Sequence, residues 1–292
     1  IIAVAPYILA GVAMTAYAVG SGATGLIARS LTGREPTMIL IAAAIGALTP
    51  VCGITVLPLI AGLLTAGVPL APVMAFWLSS PVTDPSMLAI TAGLLGWPFA
   101  IAKTVAAFAI GLAAGAITLV LRRSRLFADP LRASPRLVQG CGCGPEAFEA
   151  AFWRDAARRA AFVETGRDTG IVMLKWLTVA FIAEYALRQV LPAEAIGTHI
   201  GGDSIASVAV ATLVGAPIYL DGYAALPLVR ALLDAGMGPG AALAFLIAGG
   251  IISAWAAIPV YALTRLPVFL AYVAMAVAGA FVSGLVFSWV AN

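Results

Sequence analysis

The sequence predicts an all-α integral membrane protein, a polytopic helical bundle with two pseudo-symmetric, inverted repeats whose helices are broken by proline and glycine. Three observations carry that expectation. The chain of 292 residues is 62% hydrophobic and 10% charged, with a mean hydropathy of +1.06, whereas a soluble domain carries about 25% charged side chains. Apolar segments of membrane-spanning length recur along it. Two proline-broken segments resemble each other. So few charges cannot cover a water-facing surface, and the lipid bilayer is therefore the first partner the chain implies.

Each span needs about 20 apolar residues. Such segments lie at about residues 3–20, 70–94, 97–121, 169–190, 239–263 and 266–290. Two others, 38–66 and 206–233, are too long for one untilted span and too short for two. The first is broken at Thr49-Pro50-Val51-Cys52-Gly53 and the second at Ala216-Pro217-Ile218-Tyr219-Leu220-Asp221-Gly222. No charged leader with a small-residue cleavage site precedes the first span, so targeting is expected to come from the spans themselves.

The stretch from Leu57 lies on the stretch from Leu226 without a gap. Leu57-Pro58-Leu59 falls on Leu226-Pro227-Leu228, Ala66-Gly67 on Ala235-Gly236 and Ala75-Phe76 on Ala244-Phe245. Because proline, glycine and phenylalanine agree as well as the aliphatic positions, an internal repeat is the economical explanation. Residues 1–121 then form a first membrane repeat and residues 169–292 a second. Residues 122–168 form a connecting loop with a short amphipathic helix.

The formal net charge of +3 gains meaning when mapped. Residues 122–168 hold nine arginines, Arg122, Arg123, Arg125, Arg132, Arg136, Arg154, Arg158, Arg159 and Arg167, against six acids. By the positive-inside rule this loop faces the cytoplasm, and the chain is a multi-pass protein of the cell inner membrane. A solvated connector explains the charge, and no nucleic-acid partner is expected. If each broken segment is a re-entrant hairpin, the halves are inverted. Arg29, Arg34 and Arg265 then join the loop inside, leaving mainly Arg188 and Arg230 outside. Single broken spans would place Arg29, Arg34, Arg188 and Arg265 outside, so the inverted arrangement obeys the rule better.

A proline removes an amide donor and a neighbouring glycine loosens the chain, so backbone groups near Pro50 and Pro217 lose helical partners. Paired discontinuous segments at matching places in two halves point to a transporter's solute site. The alignment puts Gly53 on Gly222 and Cys52 opposite Asp221, offering a soft thiol at one break and a carboxylate at the other. An intramembrane carboxylate costs about 2.5 to 3.5 kcal/mol to insert and is by default functional. Asp84 is a second such acid, in the proline-flanked interruption Ser79-Ser80-Pro81-Val82-Thr83-Asp84-Pro85. Lys103 and Glu184 are expected to snorkel to an interface. Lys175 lies in or near a span, and His199 is expected at an interface.

Cys141-Gly142-Cys143 is too tight a pair to staple two elements. An ordinary reduced loop is the plainer reading. The sharper one is capture of a soft ion such as Cu(I), Zn(II) or trivalent arsenic before delivery to the pore. Candidate metal ligands are thus Cys52, Cys141 and Cys143. No GxxxxGK[ST], HExxH or GxSxG motif occurs, so the chain is not expected to be an enzyme or to carry a cofactor, and ion coupling is the default energy source.

At TPVCGITVLPLIAGLLTAGVPLAPVMAFWLSSPVTDP and at GAPIYLDGYAALPLVRALLDAGMGPGAALAFL the chain resembles the ArsP/YraQ permease family, over nearly its whole length. That family includes organoarsenical efflux permeases and proposed copper or zinc exporters. Its first break typically reads P-x-C-x-C-G, and here Pro50, Cys52 and Gly53 fit a form with a single cysteine. The resemblance implies export of a small soft solute from the cytoplasm. Pro50, Cys52, Gly53, Pro81, Asp84 and Pro85 match the first motif, and Asp221, Gly222 and Tyr223 the second. The function expected is a secondary-active permease for a trivalent organoarsenical or a metal ion such as copper or zinc, with protons as a coupling ion. A permease for an unrelated organic solute or anion, or a non-transporting scaffold, is the alternative. Gly111, Ala114 and Gly115 could pack helices within the chain or in a homo-oligomer.

Overall fold

The computed structural model describes residues 13, 16–17, 20–22, 34–48, 56, 59–60, 63–64, 68–83, 85–122, 124, 127, 130–131, 149, 151–168, 170–171, 204–216, 222–252, 257, 260–261 and 263–291, with only the backbone at 85–86 and 222–224. Its helices are α1 (Glu35–Leu48), α2 (Leu70–Ser79), α3 (Pro85–Leu95), α4 (Trp97–Leu121), α5 (156–168), α6 (Ile205–Gly215), α7 (Gly222–Asp234), α8 (Pro239–Ile251) and α9 (Leu266–Ala291). A 3-10 turn covers Phe152–Arg154.

Among the described residues, α4 and α9, with 25 and 26 residues, are long and apolar enough to cross a bilayer. At about 1.5 Å per residue either exceeds a hydrocarbon core about 30 Å thick. The α4 helix starts sharply. Gly96 turns at φ 91° and a proline follows in the first turn, where a missing amide costs little. Ser204 caps α6, its hydroxyl accepting from the Ser207 amide at 3.0 Å.

Two of the expected spans are not continuous. Residues 70–94 divide into α2 and α3. Pro81 has no N–H to give the Trp77 carbonyl, and the Ser80 hydroxyl reaches that oxygen only at 3.5 Å. The Ser79 hydroxyl donates back to the Ala75 carbonyl at 2.9 Å and closes the last turn. In the 239–263 segment, α8 stops at Ile251, and Ile252 leaves helical geometry at φ −118°, ψ 74°. In the 206–233 segment, α6 stops at Gly215 and α7 begins at Gly222.

The packing is set by glycines that admit a neighbouring backbone. A Cβ on Gly46 would lie 2.7 Å from the Phe76 carbonyl oxygen, and one on Gly215 would lie 2.7 Å from that of Phe245. A Cβ on Gly115 would meet Ile39 and Ala75, and one on Gly284 would meet Val208 and Ala244. Each second contact is the first moved by 169 positions, the shift that carries residue 57 to 226. The Val68 amide donates to the Leu63 carbonyl at 3.0 Å, and the Met237 amide to the Leu232 carbonyl at 2.9 Å, at the same shift. Gly111, Ala114 and Gly115 thus line an internal face of α4, buried against α1 and α2.

These contacts also fix directions. Gly111 lies by Ser79 and Ala75, and Gly115 by Ala75 and Ile39, so α1 and α2 run alongside each other and opposite to α4. The chain therefore returns between α1 and α2 to the side it left. Similarly α8 packs between α6 and α9. The long helices α4 and α9 run antiparallel, with Phe99 on Phe287 at 5.4 Å between ring centroids and Gly279 against Ile110.

At one end of the bundle Glu35 pairs with Arg122, and the Arg265 amide donates to the Pro130 carbonyl at 3.0 Å, beside a bridge between Leu131 and Thr264. At the other end lie Trp97 and the start of α8, where Gly240 meets Ser288. The outer wall between them is apolar. Leu48, Val105, Val120, Leu213, Val286 and Val290 are all exposed, as a lipid-facing surface requires. Helix α5, capped by Asp155 through a 2.8 Å bond from the Ala157 amide, packs against Ala16, Gly20 and Ser21. There Phe152 is buried against Gly20, with its ring 5.7 Å from that of Tyr17.

A candidate solute site at the broken helices

The site is built by helices that stop inside the bundle. Helix α2 has 10 residues, about 15 Å and half a hydrocarbon core. It ends with Ser79 beside Gly111, near the middle of α4. Its broken end meets the broken end of α8, since a Cβ on Gly250 would lie 3.4 Å from the Pro81 carbonyl oxygen. Residues 81 and 250 are separated by the same 169 positions. A carbonyl at the end of a helix lacks an intrahelical partner, so this junction concentrates backbone acceptors in the centre of an apolar bundle.

Polar side chains gather around it. The Tyr272 hydroxyl donates to the Ile251 carbonyl at 2.8 Å, satisfying the end of α8. The Trp77 ring lies 5.0 Å from that of Tyr272 at 40°, a contact between the two sets of helices. Trp77 is fully buried, and its indole Nε1 has no hydrogen-bond partner among the described residues. On the other side of the junction, Thr83 Oγ1 and Thr104 Oγ1 are 3.5 Å apart, and Thr104 donates to the Ala100 carbonyl at 2.9 Å.

Pro81 stands at the junction, half-buried. Pro85 opens α3, while Gly222 and Tyr223 open α7, and these two helices pack against each other. Pro50, Cys52, Gly53, Asp84, Pro217 and Asp221 lie outside the described residues, as do Cys141 and Cys143. Among the described residues no cluster of three His, Cys, Asp or Glu side chains could hold a metal ion. A cleft lined by Ala42, Ile45, Leu59, Leu63, Pro72, Val73 and Phe76 is wholly apolar and offers a solute nothing polar to bind.

Lys103 corrects an expectation. It does not snorkel but is 3% exposed, on the inward stripe of α4 with Phe99, Ala100, Ala106 and Ala107. Sequence reasoning also passed over Trp77 and Tyr272. The repeat shift, carried on into the long helices, would have found Tyr272, because it sets that residue on Lys103.

A helical bundle with an apolar outer wall and helices that stop inside it has the architecture of a polytopic membrane protein. The chain belongs to the ArsP_1 family, described as a predicted permease, whose profile it matches over residues 1–139 and 160–292. Membership gives membrane transport as its coarse function. The chain is similar to UPF0718 protein MJ0584 of Methanocaldococcus jannaschii, at 23% identity over 72% of this chain and 70% of that protein. No solved structure matches it.

Proposed function

We propose that this permease is a secondary-active exporter of a small soft solute, a trivalent organoarsenical or a metal ion such as copper or zinc, working in the cell inner membrane. Its halves, 1–121 and 169–292, are inverted repeats joined by a cytoplasmic segment, 122–168. The solute site lies between the breaks. Cys52 supplies a thiolate and Asp221 a carboxylate, with Pro50, Gly53, Pro81, Pro85, Pro217, Gly222 and Tyr223 shaping the backbone around them. Asp84 exchanges protons with the site. Cys141 and Cys143 capture the soft solute in the loop and deliver it.

The observation that carries this reading is the contact of Pro81 with Gly250, two broken helix ends meeting inside the bundle. A scaffold has no use for helices that stop inside an apolar bundle, where every terminal carbonyl needs a partner other than the next turn. A transporter uses such ends as contacts. The soft-solute assignment rests on the Cys52 thiol at a break and on the Cys141-Gly142-Cys143 pair.

Growth inhibition of a sensitive host by arsenite, methylarsenite, copper and zinc, with and without the gene, tests the proposal. Resistance to one of these, lost in Cys52→Ser at normal expression, is the expected result. No resistance to any of them, or full resistance in Cys52→Ser, would contradict the soft-solute assignment. Changing Cys141 and Cys143 to serine is expected to weaken export at low concentration while leaving the maximal rate nearly intact.

A further inference from the structure

Trp77 is 0% exposed, and its indole Nε1 has no hydrogen-bond partner among the described residues. Buried tryptophan N–H groups are ordinarily paired, and one without an acceptor forfeits the bond that water would give it, so each exception calls for a physical reason. The indole nitrogen is a donor only, and what it lacks is an acceptor. Its place in the fold is specific. Trp77 lies in the last turn of α2, four residues before Pro81. Its ring packs 5.0 Å from that of Tyr272, whose hydroxyl is tied to the Ile251 carbonyl at the end of α8. The unsatisfied donor therefore belongs to the junction at which Pro81 and Gly250 meet.

Packing does not require an indole at this position. The counterpart at the 169-residue shift is Leu246, 4% exposed in α8, whose side chain has no polar atom. We infer that Trp77 is a solute-binding residue whose indole N–H donates to an oxygen that the solute carries beside its soft centre, such as a hydroxyl on trivalent arsenic. This rests on the permease reading and narrows it, since a bare copper or zinc ion has no acceptor to present and meets a positive ring edge. In this conformation the N–H is enclosed, and the solute reaches it when the helices part at the junction, as alternating access requires.

Phenylarsine oxide, which water hydrates to a dihydroxide, and phenylmercuric chloride test the inference. Both carry a phenyl ring on a thiophilic centre. One thiolate displaces one hydroxide from the arsenic and leaves the other hydroxyl in place, whereas displacement of chloride leaves the mercury without an oxygen. The full chain, with Cys141 and Cys143 changed to serine so that binding in the loop does not mask the site, is isotopically labelled at the indole nitrogens of its six tryptophans and purified in detergent. The indole resonance absent from Trp77→Phe and from Trp77→Leu, which copies the second half, belongs to Trp77. Its proton is expected at an unbonded position without solute, to move downfield with phenylarsine oxide and to stay in place with phenylmercuric chloride. Trp77→Phe, which keeps a ring against Tyr272, is expected to bind phenylarsine oxide about three- to tenfold more weakly, the net scale of one hydrogen bond, and phenylmercury with unchanged affinity. A resonance already at a bonded position without solute would show that water or the chain satisfies the indole, and would overturn the inference. So would a phenylarsine oxide complex without the shift, equal shifts with both probes, or no binding of either. Equal weakening of both probes in Trp77→Phe would overturn it too and make the indole a packing group. Trp77-dependent binding with no movement of either probe into proteoliposomes would leave the binding site standing and remove the permease reading.

Discussion

Ile110 and Gly279 hold the same place in the two long helices and touch each other, with a Cβ on Gly279 lying 2.8 Å from Ile110 Cγ1. Equivalent positions of a two-fold arrangement meet only near its axis. Pro81 and Gly250 are a second such pair. The long helices α4 and α9 run antiparallel where the first pair meets. The proposed inverted repeat predicts such contacts, because its axis would lie in the membrane plane.

The paired glycines provide a test of the packing. Gly46→Val and Gly215→Val each push a side chain into the backbone of the facing phenylalanine, Phe76 or Phe245, and neither backbone can step aside. Overpacking of this kind costs about 1 to 3 kcal/mol. Thermal unfolding in detergent should show comparable losses for the two variants. A large loss for one and none for the other would mean that the two contacts are not equivalent.

Tyr272→Phe keeps the ring against Trp77 but strands the Ile251 carbonyl. A buried acceptor left without its donor costs about 1 to 3 kcal/mol. A lowered melting temperature is expected. An unchanged one would show that another donor takes over the end of α8.

The legible part of this architecture was the part written in hydropathy. Helices α4 and α9 coincide with apolar windows that hold no proline beyond their first turn. The end of α8 was not legible, because Ile251 and Ile252 are as apolar as their neighbours and only Gly249 and Gly250 precede them. The break after Ser79 was visible as a polar interruption, yet the apolar length from 70 to 94 outweighed it. The expected snorkelling fails at Lys103 because of the helix face it occupies. Its spacing from Phe99, Ala100, Ala106 and Ala107 puts it on the inward stripe, away from lipid. The acids and thiols singled out at the breaks rest on chemistry and alignment, which say what a side chain can do but not where it sits.

Topology separates the inverted halves from parallel ones. In a protein whose native cysteines are replaced by serine, a single cysteine is placed at Ser124, just past α4, or at Asp234, the end of α7. Inverted halves put these on opposite faces of the membrane, so an impermeant maleimide applied to right-side-out and inside-out vesicles should label them in opposite preparations. Labelling of both in the same preparation would indicate halves inserted the same way round.

The most direct measurement is the location of the solute itself. Arsenic anomalous scattering from crystals of the full chain with phenylarsine oxide should place an arsenic atom inside the bundle, between the breaks at residues 50–53 and 217–222 and close to Pro81 and Gly250. An arsenic bound solely at Cys141 and Cys143, or on the lipid-facing wall, would contradict a solute site at the meeting point of the broken helices.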